Sequence, residues 1–352
     1  MRHSTRFLII VLATATVFSC GGKKTETAKT TTAASAPAKT AGWKSGDTIY
    51  FDVPAKAGGG TDLYTRFVTA GMQEITTGIN YVVTNYDTSE VGSQHAKAAK
   101  PDGKTVTLGA CTNMDNYLSG HSMVNPNEDL AVIAKLHDGG PQAWIAASDA
   151  PYNNMKELAD YINAHPGELT VGCALGGTSQ LIWLNVFGIQ GVADKVNYVQ
   201  CSSEADKLTN VASKAINLGN CSINNALSYQ QDGKLKVLGV IGPKGTTKAD
   251  CETLVGKQLN DSFLTMPEQG IACTWDAGYY ILAPKNTPME TRKAINEMLL
   301  KLNENKTFLD GLKKMATFGK VKSLEDSQAD WDGEWQFQTD MMTKLGMNVH
   351  KK

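Results

Sequence analysis

The chain has 352 residues, of which 41% are hydrophobic and 20% charged, with a formal net charge of −1. That length suits one large or two medium domains, and that composition belongs to chains that bury a core. A near-neutral balance without a basic block excludes electrostatic recruitment to nucleic acid or to an anionic membrane surface.

The N-terminus is a different kind of text. "MRHSTR" is basic and "FLIIVLATATVF" is apolar but too short to span as a stop-transfer helix, so residues 1–20 read as an export signal. Its end, Val17-Phe18-Ser19-Cys20, is similar to a bacterial lipobox, with Phe18 bulkier than usual at that place. The expectation is a lipoprotein signal peptide over 1–20 and a lipid anchor on Cys20. Residues 21–43 are rich in Thr, Ala and Lys with almost no large apolar side chain, and are expected to be a disordered tether. The mature protein would then be exported and held on the outer side of a bacterial membrane. No later stretch reaches transmembrane length.

From Trp43 onward strands and helices alternate. "TIYFDV" (48–53), "INYVVTN" (79–85) and "TVTLGA" (105–110) read as strands. Between them lie an amphipathic helix with Leu63, Phe67, Val68, Gly71 and Ile75 on one stripe, and a short helix over 93–100 closed by "PDGK". A second series follows: a helix over 153–167, a strand over 168–174, a helix over 181–189, a strand over 195–201, a helix over 203–213, and strands over 215–221 and 235–242. "PQAWIAAS" (141–148) and "GYYILAP" (278–284) are extended runs that join the two series, and the tail from Pro288 is mainly helical. Such βαβ series imply parallel sheets with right-handed crossovers. The pattern predicts an α/β molecule of two doubly wound lobes, with residues 44–142 plus 276–352 forming one and 143–275 the other.

The glycines suggest a role. "VPAKAGGGTD" (53–62) places Gly58, Gly59 and Gly60 between a strand and a helix, with Thr61 able to cap that helix and Asp62 favoured in its first turn. Glycine lets an anion approach the unpaired N–H groups of a helix N-terminus closely. Gly176 and Gly177, followed by the hydroxyls of Thr178 and Ser179, repeat the device in the second series. Either loop alone is explained by a tight turn; two at matching positions point to a ligand with anionic groups. Sites in parallel α/β sheets form beyond the carboxyl ends of the strands, so two facing lobes would share one cleft.

Catalytic patterns are absent. "GKT" at 103–105 lacks the Walker glycine, since Ala98 stands there, and neither G-x-S-x-G nor G-x-G-x-x-G occurs. His95, His121, His137 and His165 have no metal-binding spacing, and His137 with Asp138 reads as a polar pair in a hinge loop. No enzyme activity, metal or cofactor is expected. Cys111, Cys173, Cys201, Cys221, Cys251 and Cys273 form no CxxC, and their pairing stays open. "WDGEW" (331–335) reads as aromatic packing of a C-terminal helix, with a docking face as the alternative.

"VPAKAGGGTDLYTR" resembles the first signature of the substrate-binding receptors of tripartite tricarboxylate transporters, the Bug receptors. "VVTNYDTSEVGSQHAKAAKPDGKTVTLG", "MKELADYINAHPGELTVGCALGGTSQL", "DGKLKVLGV" and "YYILAPKNTP" are similar to later landmarks in the same order, over nearly all of residues 46–320. The resemblance implies a periplasmic-binding-protein-like fold of the type II, Venus flytrap kind. It implies capture of a di- or tricarboxylate by Ala57, Gly58, Gly59, Gly60, Thr61 and Asp62 on one lobe and Gly176, Gly177, Thr178 and Ser179 on the other, with Asn85 and Gln200 at the matching strand ends. It also implies delivery by a monomeric receptor to membrane permease subunits. The sequence departs from the family pattern after Asn85, where Tyr86-Asp87-Thr88-Ser89-Glu90-Val91-Gly92 replaces a Gly-rich run, and at Tyr198-Val199-Gln200-Cys201. Asp87 and Glu90 bring negative charge there, so an amino acid stays open as the ligand, and a lipoprotein that reports its ligand state to a membrane kinase stays open as the role.

Overall fold

The structure is a computed structural model that describes residues 42–201 and 203–350. The signal segment, Cys20 and the tether up to residue 41 lie outside the described residues. Among those residues no helix is long and apolar enough to cross a membrane.

Strands β1 (Thr48–Val53), β2 (Asn80–Asn85) and β3 (Thr105–Gly109) alternate with helices α1 (Gly60–Ile75) and α2 (Ser89–Ala98). β1 pairs in parallel with both β2 and β3, as a βαβαβ unit requires. Helices α3 (Cys111–Leu118) and α4 (Pro126–Asp129) lead to β4 (Leu130–His137), after which the chain leaves the first sheet. The second sheet is built from β5 (Gln142–Ala147), α5 (Met155–Ala164), β6 (Thr170–Cys173), α6 (Thr178–Gln190), β7 (Asn197–Gln200), α7 (Glu204–Ala212), β8 (Leu218–Ser222), α8 (Ile223–Gln231), β9 (Leu235–Ile241) and α9 (Lys248–Val255). The chain then returns through residues 271–278 to β10 (Tyr279–Pro284), followed by α10 (Met289–Leu300), α11 (Lys306–Lys314) and α12 (Leu324–Lys344).

The sheets have the orders β2-β1-β3-β10-β4 and β7-β6-β8-β5-β9, the same topology position for position. The extended runs that join the two series are therefore strands in their own right. β5 lies antiparallel between β8 and β9, and β10 lies antiparallel between β3 and β4. The crossings themselves are the short segments 138–141 and 271–278.

β5 shows why the pattern looks continuously apolar. Trp144 and Ala146 face one core cluster with Trp183, Phe187 and Val171, while Ala143 and Ile145 face another with Val237, Leu208 and Phe263. Successive side chains point to opposite faces, and both faces are covered by helices. All six cysteines of the described residues are buried free thiols.

Two local expectations are corrected and one alternative is set aside. Of the expected α1 stripe Val68 and Gly71 are buried and Phe67 and Ile75 pack partly buried against the core, but the centre of the buried face also includes Tyr64, Thr65 and Met72, and Leu63 lies at its edge. The cause is α11 and the turn before it: a Cβ on Gly71 would lie 2.7 Å from Leu302, and one on Gly311 would lie 2.4 Å from the Phe67 ring. α2 starts at Ser89, not 93, because Thr88 caps it by accepting from the Val91 N–H. The docking alternative for "WDGEW" is not what Trp331 does: it is 1% exposed, lies edge-on to Tyr280 at 5.0 Å, and donates its indole N–H to Asn127.

Candidate functional site

The register of each sheet places the loops. Val53 pairs with Asn85, so the side chain of Asn85 emerges beside the turn that follows β1. Its amide donates to the Ala55 carbonyl (3.1 Å) and to Asp62 Oδ1 (3.0 Å). Asp62 Oδ2 accepts from the Gly58 N–H (2.8 Å) and from Arg66 Nε (3.0 Å). Burial would raise the Asp62 pKa, but Arg66, the Gly58 N–H and Asn85 together hold it below the usual carboxylate range. Asp62 and Asn85 thus brace the turn, and the Asp62 charge is engaged inside the chain.

Three glycines in a row have different reasons. Gly58 has φ +85°, a conformation that favours glycine. Gly59, the N-cap of α1, has φ −79°, and a Cβ there would meet nothing closer than the Lys56 carbonyl at 3.6 Å. A Cβ on Gly60 would meet only the Tyr279 hydroxyl, at 3.8 Å. Neither packing nor conformation explains Gly59 and Gly60. Ala57, Gly58, Gly59 and Gly60 are all exposed. Thr61 does not cap the helix. It lies within the first turn, and its hydroxyl pairs with Tyr279 OH at 3.0 Å.

The second loop repeats this construction. Cys173 pairs with Gln200, which brings Gln200 to the matching position at the end of β7. Gln200 accepts from the Leu175 N–H (3.0 Å), Ser179 Oγ from the Ala174 N–H (2.8 Å), and Gln180 from the Gly176 N–H (2.7 Å). Gly176 has φ +74°, and Gly177 is the N-cap of α6.

Capping separates the helices into two kinds. α2 and α7, which follow the edge strands β2 and β7, are capped by Thr88 and Ser203. α1, α3, α6 and α8, which follow the inner strands β1, β3, β6 and β8, have no side-chain cap bond at the N-cap. At α8 the chain supplies its own anion: Glu204 Oε1 accepts from the N–H and hydroxyl of Ser222 and from Asn225. At α3, Asn113 accepts from the Ala110 N–H. α1 and α6 keep first-turn N–H groups that the helix cannot pair and that carry partial positive charge.

The two halves touch at this end of the sheets. Thr178, the first residue of α6, donates its hydroxyl to Asp115 Oδ2 on α3, and Thr112 Oγ1 lies 3.3 Å from the same hydroxyl. His121, held by Ser119 at 2.7 Å, lies over the second loop, where a Cβ on Gly176 would come within 3.0 Å of its ring. Glu90 is engaged as well, accepting from Gln94, the Ser122 hydroxyl and the Met123 N–H. It therefore adds no free charge to the loops, whereas Asp87 is exposed.

The crossings are close-packed. A Cβ on Gly139 would lie 2.4 Å from the Ala277 nitrogen, and one on Gly278 would lie 2.4 Å from the His137 carbonyl. Asp276 accepts from the Gly139 and Gly278 N–H groups (2.6 and 2.9 Å) and from Lys135 Nζ (2.5 Å). The nearly buried Lys135 also pairs with Asp138, Asp330 and Glu334, which ties both crossings to α12. Burial works against its charge, but the carboxylates of Glu334 and Asp276 outweigh it and raise its pKa. His137, the last residue of β4 rather than part of a hinge loop, is buried beside them with its ring tilted against Tyr64 at 4.3 Å. Tyr279, at the start of β10, connects this region to Thr61 of the first loop.

Sequence reasoning missed Thr112, Asp115, His121 and Tyr279. α3 is eight residues long and reads as a loop in the sequence, and Tyr279 sits inside a strand pattern. Only the helix N-terminus rule applied after β3 would have flagged α3. Among the described residues no His, Cys, Asp and Glu group could hold a metal ion.

Residues 65–316 match the family model of the tripartite tricarboxylate transporter family receptor. The chain belongs to this receptor family. It is 28% identical over 209 residues to a UPF0065 protein of Bordetella pertussis, covering 58% of this chain and 63% of that relative's length. Two solved structures share the fold. One is an R. palustris protein with adipate (19% identity, TM-score 0.68, covering 85% of this chain and 97% of that one). The other is MatC from Rhodopseudomonas palustris with bound malate (20% identity, TM-score 0.65, covering 84% and 98%). The two-lobed, periplasmic-binding-protein-like α/β fold read from the sequence is the one found. In this tripartite tricarboxylate transporter receptor the matched residues take in the second glycine turn, and the family is one of solute receptors rather than catalysts.

Proposed function

We propose that this receptor captures a small carboxylate between two lobes, residues 44–142 plus 276–352 and residues 143–275, and hands it to the membrane subunits of a tripartite tricarboxylate-type transporter. The observation that carries the reading is the uncapped pair α1 and α6. Each opens on a glycine turn braced by its own chain, with first-turn N–H groups left for an outside anion. The carboxylate would lie against the backbone of Ala57–Thr61 on one side and Gly177–Ser179 on the other. Asp62, Asn85, Gln200 and Ser179 would act by holding the turns. No covalent step, metal or cofactor enters. Capture would shift the population toward a closed form through contacts made only when the lobes meet, bending at the two crossings. The adipate and malate bound by two solved relatives are dicarboxylates, which suits a site with two anion-binding ends. The N-terminal sequence supports an exported protein held by lipid on Cys20.

The test is calorimetry of residues 43–352 against di- and tricarboxylates, amino acids and neutral sugars, after unfolding and refolding to remove co-purified ligand. Binding of one or a few acids, with sugars silent, is expected. Equal binding of neutral sugars would sink the anion reading.

A further inference from the structure

We infer that Asp115 is a specificity-determining residue beside the N-terminus of α6, selecting acids that carry an ammonium group. This rests on the carboxylate reading above and names the subclass of acid.

Asp115 is fully buried, yet only half of its carboxylate is satisfied. Its Oδ2 accepts one bond, from Thr178 of the opposite sheet's first inner helix. Its Oδ1 is buried and has no hydrogen-bond partner among the described residues. The neighbouring carboxylates are treated differently by the chain. Asp62 receives Gly58, Arg66 and Asn85; Glu90 receives Gln94, Ser122 and Met123; Glu204 receives Ser222 and Asn225. A buried carboxylate with one hydroxyl partner is costly, and a cationic donor is what removes that cost. Burial pushes the Asp115 pKa up to about 7, with the Thr178 hydroxyl opposing. No charged group of the chain is among the influences on its carboxyl, which are burial and the Thr178 hydroxyl.

The position fits an α-amino acid. Thr178, which donates to Asp115, is the first residue of α6, so an acid whose carboxylate lay on the N–H groups of α6 would bring an ammonium one carbon away within reach of Asp115. The negative group expected from the sequence near the anion is therefore supplied by Asp115, whereas Glu90 is engaged and Asp87 is exposed.

The experiment is calorimetry with matched probes: aspartate, succinate and malate, and glutamate, glutarate and 2-hydroxyglutarate. In one set the ammonium member should bind at least ~10-fold tighter than its unsubstituted partner, the discrimination expected when a buried polar group is left unpaired. Asp115→Asn, isosteric and uncharged, should bring the two within ~3-fold, with the folded state checked by circular dichroism. Thr178→Val should keep the preference while weakening all members together. Equal affinity of the unsubstituted or hydroxy acids for the native protein would overturn the inference while leaving the carboxylate reading intact. A preference that survives in Asp115→Asn would overturn it as well. Should the variant not fold, the native comparison decides alone. If no acid of either set binds, both readings fail together.

Discussion

At the residue scale, the glycine turns separate conformation from access. Gly58→Ala forces a side chain into φ +85° and should destabilise the fold by about 1 kcal/mol in urea unfolding. Gly59→Leu meets no strained backbone and no packed neighbour, so its unfolding midpoint should stay within about 0.5 kcal/mol of the native one. The same substitution fills the approach to the α1 N-terminus, and acid affinity should fall by ~10-fold or more, as when a good hydrogen-bond contact is lost. Unchanged affinity in Gly59→Leu would remove α1 from the site. The glycines were legible because they break the side-chain pattern between a strand and a helix. Asp115 was not, because a carboxylate in a short polar helix looks like surface until burial is known.

At the element scale, the periodicity of the strands revealed most of the sheets, including the continuous apolar runs buried on both faces. It did not reveal α3, β4, α8 or α9. The first is short and polar, and β4 carries Lys135 and His137 inside an otherwise apolar run, the Lys135 charge being made tolerable by the carboxylates of the distant crossing and of α12. His137 gives a pH test of that region. Burial lowers its pKa to about 4, with Asp138, Asp276 and Lys135 the charges facing it and the rings of Tyr64 and Tyr279 against it. The unfolded chain binds that proton near pH 6.5, so it holds more protons than the folded chain between about 4 and 6.5, and stability falls as pH drops through that window. His137→Phe should flatten this acid limb, gaining up to ~2 kcal/mol relative to the native protein at pH 5 compared with pH 7.5. Parallel slopes for the two proteins would show that His137 is not the titrating group. On α12, Trp331→Ala removes a fully buried ring and should cost ~3–5 kcal/mol of stability without a specific loss of acid affinity per folded molecule.

At the scale of the whole molecule, the two sheets repeat one topology, and the sequence displayed the repeat as two series of alternating elements with a glycine turn in each. What it could not display is the contact between them, because Thr178 and Asp115 are 63 residues apart and neither belongs to a motif. Thr178→Val removes that bond and leaves a buried carboxylate with no partner. A loss of this kind is worth ~1–3 kcal/mol, or roughly 5- to 150-fold in the balance between joined and separated lobes. Small-angle scattering of the unliganded variant should therefore give a larger radius of gyration than the native protein. An unchanged radius would mean that this bond does not hold the lobes together.

The uncapped helices carry a lesson for mutational scanning. If the anion is met by main-chain N–H groups, every substitution except proline leaves those groups in place. An alanine scan through 57–62 and 176–179 would register strain at Gly58 and Gly176 and lost bracing at Asp62 and Ser179. It would score Gly59, Gly60 and Gly177 as nearly silent. A map of importance drawn from such a scan would highlight the scaffold of the site and leave the site itself blank. Bulky replacements, or amide-to-ester substitution of the backbone, are the changes that would make it visible.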